Sequence, residues 1–226
     1  MMKLAVYKKL RETIDQRKPI NFLRATPIIA SAVAFSLVLI IVSILATPAG
    51  ESLDYHFIDV HGLIPFFTEF FLITAGTFAL ATLTVQLQHN DAPHPLWGLL
   101  VLGFFILAAD EFFHLDSFVG RLLQYHFGLE RFYQWKDMLV VLYGVIALVV
   151  LVIFLPELFR YPLVFELFCI GFAFYSIQTF MDVTRNQTVM DNIIEETFKI
   201  FSVAFLAQGA FFGFLGALRQ TEKTGN

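Results

Sequence analysis

The 226-residue sequence has a single cysteine, Cys169, set inside an apolar block. An intrachain disulfide is therefore excluded, and a cysteine-based metal site has too few thiolates to form. Charge is scarce too: Asp, Glu, Lys and Arg make up 15% of the chain, against about 25% in a soluble domain. Basic residues do not cluster outside the amino-terminal arm, and no nucleic-acid-binding motif occurs, which removes nucleic acid as a partner class. Internal repeats and low-complexity tracts are also missing, so nothing suggests a solenoid or a long linker.

What the chain has in abundance is apolar bulk. Hydrophobic residues make up 58% of it, and Phe alone occurs 28 times. These residues fall in long blocks rather than at amphipathic spacing, the pattern of helices whose solvent is lipid. Six blocks are long enough to span, near 26–47, 62–87, 95–115, 137–158, 161–183 and 192–217. A crossing helix needs about 20 residues for about 30 Å of hydrocarbon. The expected fold is an all-α polytopic bundle with a cytoplasmic arm over 1–25, a six-span domain over 26–218 and a tail over 219–226. The first block is too long for the apolar core of a secretion signal, so it reads as a retained anchor.

Lys and Arg set the orientation. With the amino terminus inside, ten fall on the inner side (Lys3, Lys8, Lys9, Arg11, Arg17, Lys18, Arg24, Arg160, Arg219 and Lys223). Four fall outside: Arg121, Arg131, Lys136 and Arg185. Both termini are then cytoplasmic, as in a multi-pass protein of a bacterial inner membrane. Two stretches read as surface-lying helices. Residues 3–18 segregate Leu4, Tyr7, Leu10 and Ile14 from Lys and Arg, and residues 117–135 mix aromatics with Arg121, His126 and Arg131. The Pro156–Pro162 connection predicts an antiparallel hairpin of spans four and five.

Ionisable residues inside a membrane are costly and normally face the bundle interior, where they find partners. Here Glu69, Asp110, Glu111, His114, Asp182, Glu195, Glu196 and Lys199 all fall in the outer half, which predicts a polar pocket opening outward. Glu157, Arg160 and Glu166 read as end-of-helix groups on the inner side. In Asp110-Glu111-Phe-Phe-His114, helical spacing would bring carboxylate and imidazole together. Glu-x-x-His is the spacing of carboxylate metal sites in bundles, although those use two such pairs; a hydrogen-bonded cap on a span end has the same pattern. Glu195 and Lys199 stand in the favourable order for an i, i+4 ion pair. Span five adds a stripe of Tyr175, Gln178, Thr179 and Asp182. His56 and His61 lie just outside span two as further ligand candidates, whereas His89 and His94 fall on the inner side.

The Asp-Glu-x-x-His motif with a late Glu-Glu-x-x-Lys resembles uncharacterised bacterial multi-pass membrane proteins with similar paired acidic motifs. That likeness covers spans three to six and implies no particular activity. Glu195-Glu196-x-x-Lys199 is also similar to the first motif of intramembrane metal-dependent proteases of the PrsW type. There the motif comes early and further motifs follow, whereas here nothing follows it.

Three functions follow as expectations. The first is a divalent-metal site, possible for zinc, iron, manganese or copper, built from Asp110, Glu111, His114, Glu195, Glu196 and Glu69, with Lys199, Asp182, His56 and His61 in support. With an open coordination position, such a site could be that of a membrane-embedded metalloenzyme. The second is ion or proton transport, which needs polar groups continuing through the inner half, where Thr84 and Gln86 are the best placed. The third is a non-catalytic subunit, with the bilayer and other membrane subunits or a second copy as partners.

Overall fold

A computed structural model describes residues 22–59, 62–88, 95–127, 132–184 and 188–224. Among the described residues the chain forms nine helices and no strand. They are α1 (Phe22–Leu45), α2 (Tyr55–Ile58), α3 (Leu63–Gln88), α4 (Pro95–Phe113), α5 (Leu115–Phe127), α6 (Phe132–Ile153), α7 (Leu155–Arg160), α8 (Val164–Thr184) and α9 (Val189–Thr224).

Local chemistry sets several of these ends. Pro95 opens α4 and Pro65 sits in the first turn of α3, where a missing N–H leaves no bond unmade. Thr188 caps α9: its Oγ1 accepts from the Asp191 N–H at 3.2 Å and donates to Asp191 Oδ2 at 2.8 Å. That arrangement satisfies an otherwise orphaned amide at the helix start. Gly62 precedes α3 because a Cβ there would lie 2.6 Å from the His56 carbonyl oxygen and 2.8 Å from that of Asp59. Gly62→Ala should therefore cost about 1–3 kcal/mol through overpacking against backbone that cannot yield. Denaturant unfolding in micelles would measure it, and a loss close to zero would contradict this turn geometry.

Five helices (α1, α3, α4, α8 and α9) are long and apolar enough to cross a membrane. Apolar residues dominate their outward faces, including Leu45, Phe70, Leu102 and Phe180. The centre of the bundle is α9, packed against α8 and α3, with α4 covering α3 and α1 lying along α9. Small residues allow the close approach. Ala75 and Ala79 of α3 and Ala207 and Ala210 of α9 are buried in one core with Phe104, Phe168 and Val203, as van der Waals packing between membrane helices favours.

Several expected boundaries shift. The fourth apolar block does not run to 158: α6 ends at Ile153, and α7 forms a separate turn carrying Pro156. The apolar described stretch of α6, Val140–Ile153, is itself shorter than a full span. Its partner in the expected hairpin is present, since Tyr175 Oη of α8 donates to the Val140 carbonyl at 3.2 Å. The interfacial segment expected over 117–135 divides into α5 and the first turn of α6. The residues assigned to a tail from 219 continue α9 as far as Thr224. The arm helix over 3–18, His61, His89, His94, Arg131 and Arg185 lie outside the described residues.

Candidate functional site

Polar groups collect at both ends of α9. At the end nearer α5, Lys199 Nζ lies 2.7 Å from Glu111 Oε1 of α4 and 3.1 Å from Glu196 Oε1 on its own helix. All three side chains are largely buried, at 23%, 20% and 13% relative exposure. Glu69 of α3 is half-buried and within electrostatic range of Glu111, His114 and Lys199. Carboxylates from two helices thus contact one ammonium, and a third, from α3, lies within its electrostatic range. The second oxygen of Glu196 is buried and has no hydrogen-bond partner among the described residues, as is true of Thr68 Oγ1 and Ser202 Oγ.

The remaining sequence candidates take other directions. Asp110 and Glu111 are adjacent, so a helix turns them apart by about 100°. Asp110 lies in range of Tyr175 on α8, whereas Glu111 reaches α9. Glu195 Oε1 accepts from Gln178 Nε2 at 3.4 Å. The ion pair expected between Glu195 and Lys199 is thus replaced by pairs with Glu196 and Glu111. The helical register assumed for Glu111 and His114 does not hold either. α4 stops at Phe113, and His114 takes a left-handed φ of 50° with its side chain exposed. His56 approaches the Ala46 carbonyl at 3.2 Å, and Asp182 is half-buried near the end of α8. Among the described residues no group of three or more His, Cys, Asp and Glu side chains is arranged to hold a metal ion.

Above this cluster the loop before α3 is tied to the start of α9. Asn192 Nδ2 donates to Asp54 Oδ2 at 2.8 Å, and Ser52 donates to the same carboxylate. Burial alone would raise the Asp54 carboxyl, but these two hydrogen bonds, together with one from its own backbone N–H, outweigh it and hold it below its ordinary value of 3.8. A depressed carboxyl stabilises the fold fully above that ordinary value and loses the contribution as pH falls through its lower folded value. Asn192→Leu should thus cost about 1.5–3 kcal/mol near neutral pH, the range for a bond to a charged acceptor. In strong acid the cost should shrink. An equal cost at both pH values, in denaturation of the two proteins, would show that the acceptor is not an ionised carboxylate.

The opposite end of α9 holds a centre that the sequence reading missed. Glu157 of α7, only 3% exposed, accepts from Gln86 Nε2 at 3.1 Å and Trp97 Nε1 at 3.2 Å. Tyr161 also hydrogen-bonds to it, and Arg160 lies 3.7 Å away. Gln86 Nε2 is 2.9 Å from Tyr161 Oη as well. Burial first, and the Glu157 charge second, push the Tyr161 phenol up to about 12, so it remains a donor at any ordinary pH. Trp97 and Tyr161 pack edge to face with centroids 5.7 Å apart, against Gly213 and Gly216 of α9. Leu163, just after this turn, adopts a φ of 67°. A hint was present in Gly213-Phe-Leu-Gly216, two glycines three apart on one helix face, which marks a place where another group comes close.

The two ends differ in a way that separates scaffold from site. The Glu157 centre has its donors met and a guanidinium at hand. The Lys199 cluster has more carboxylates than cations and buried polar atoms with no partner among the described residues.

The fold and its polar interior define an all-helical protein of membrane type. The chain belongs to a family described as a domain of unknown function (DUF8692), whose model matches residues 28–211 and so takes in the whole Lys199 cluster. No curated protein and no solved structure matches it.

Proposed function

We propose that this is a six-span protein of the cell's inner membrane, with both termini cytoplasmic, that binds protons on Glu69 and Glu196 beside the Glu111–Lys199 ion pair, close to the outer face. The observation that carries the reading is that, among the described residues, the carboxylates of Glu69, Glu111 and Glu196 have one ammonium, that of Lys199, near them in a largely buried cluster. Uncompensated charge in such a place is expensive, and proton uptake is the simplest way to remove it. The sixth span is α6. It meets α8 through the Tyr175–Val140 contact, and its 22 residues measure about 33 Å at about 1.5 Å per residue. The excess of Lys and Arg on the inner side supports the orientation.

Infrared titration of the purified protein tests this directly. Protonated carboxyl bands should be present at neutral pH and should change in Glu69→Gln and Glu196→Gln. A spectrum without protonated carboxyl groups at neutral pH would end the proposal.

The unpartnered second oxygen of Glu196 favours one competing reading, a divalent metal at the same carboxylates. Lys199 now stands between Glu111 and Glu196, so a metal there would have to displace it. Elemental analysis of the wild type beside Glu196→Gln separates the two: metal lost with the carboxylate favours the ion, and equal content in both favours the proton.

A further inference from the structure

The corner between α4 and α5 is unusually abrupt. One residue, His114, joins two helices; its φ is 50°, and its carbonyl accepts the Phe118 N–H at 3.0 Å, so α5 begins with no slack. Left-handed backbone costs roughly 1–2 kcal/mol for an ordinary residue, and a corner held that way behaves as a bracket rather than a loose linker.

Beyond the corner, α5 is amphipathic. Phe118, Leu122 and Tyr125 recur at spacings of four and three and are 59%, 47% and 84% exposed. They extend an apolar surface already begun by the exposed Phe112 and Phe113 at the end of α4. Thirteen residues give about 20 Å of helix, too short to cross about 30 Å of hydrocarbon. An amphipathic helix that leaves a spanning helix at its end, with an apolar edge continuous with the lipid-facing surface, lies in the plane of the interface. Glu111, the residue that reaches Lys199, sits one turn before the corner. A change in the depth or tilt of α5 is therefore delivered to the last turn of α4, and so to the Glu111–Lys199 pair.

We propose that α5 is a lipid-seated lever: its Phe118, Leu122 and Tyr125 edge rests in the bilayer interface, and the rigid His114 corner lets that seating set how Glu111 meets Lys199. The seating concerns the lipid surface alone, whereas the regulatory half rests on the proton-binding reading above.

The full chain, reconstituted in phosphatidylcholine vesicles brominated high on the acyl chains, tests the seating. In a Trp135→Phe background, Tyr125→Trp should be quenched severalfold more than Gln124→Trp, after subtraction of the Trp97 signal. Equal quenching at the two positions overturns the seating. For the lever, the triple variant Phe118→Ser, Leu122→Ser, Tyr125→Ser should shift the same carboxyl infrared bands that Glu196→Gln alters, because Glu196 shares Lys199 with Glu111. Unchanged bands overturn the lever and leave the proton site standing. If the wild type shows no such bands, the proton reading fails and the regulatory half falls with it, while the quenching result still decides whether α5 faces lipid.

Discussion

Replacing Lys199 with methionine should destabilise the protein by about 3–5 kcal/mol, the cost of removing one partner from a buried ion pair. Methionine keeps most of the side-chain volume, so the loss is electrostatic rather than a cavity effect. It leaves Glu111 and Glu196 without their shared ammonium in a largely buried place, with Glu69 in range of Glu111. The sign of a second substitution is equally informative. Adding Glu111→Gln to Lys199→Met should restore much of the stability, because removing both members of a buried pair is often neutral or better. Denaturant unfolding in mixed micelles reads both effects. A loss under about 1 kcal/mol for Lys199→Met would equal that of an exposed pair and would place the cluster in contact with water. Failure of the double variant to recover would mean that Glu111 has a role in packing apart from its charge.

The membrane-type fold was legible because it depends on run length. An unbroken apolar block of about 20 residues has few uses other than crossing lipid, and five of the six blocks form helices of that kind. The joining of acidic residues from separate helices was legible in part. Placing Glu69, Glu111, Glu196 and Lys199 at a common depth follows from counting residues along antiparallel helices, and the structure joins the last three, with Glu69 within electrostatic range of Glu111 and Lys199. Which acid meets the lysine was not legible. Positions three and four residues apart are both neighbours on a helix, and the choice of Glu196 is coupled to a partner, Glu111, from another helix. His114 failed for a related reason. Helical spacing predicts a shared face only while the helix continues, and nothing in Phe-Phe-His-Leu announces that α4 stops at Phe113.

Glu157 was hidden by its position. A carboxylate three residues before an arginine, at the inner end of an apolar block, reads as an end-of-helix group. Its burial depends on α7 folding back beneath α3, α4 and α9, a tertiary arrangement to which the glycines contribute. The cavity that receives Trp97 and Tyr161 exists because two positions of α9 have no side chain.

Removing this acceptor should therefore be nearly as damaging as removing Lys199. In Glu157→Ala the Trp97 and Gln86 N–H groups lose their shared oxygen and Tyr161 loses its acceptor. Each buried donor left unpaired costs about 1–3 kcal/mol, so a total near 3 kcal/mol or more is expected, with a smaller loss in Glu157→Gln. Gly213→Ala attacks the same assembly from the other side, since its Cβ would lie 2.1 Å from the Trp97 ring. That ring is fully buried and tethered to Glu157, so it cannot swing clear without breaking the hydrogen bond. The two lesions should consequently be less than additive: once Glu157 is gone, Trp97 is free to shift, and the added methyl costs less. Sites that share a partner couple by about 0.5–3 kcal/mol, and a double-mutant cycle on unfolding free energies measures the coupling. Strict additivity would show that Glu157 and Gly213 do not act on one tryptophan, and the account of this end of α9 as a single packed and hydrogen-bonded unit would fail.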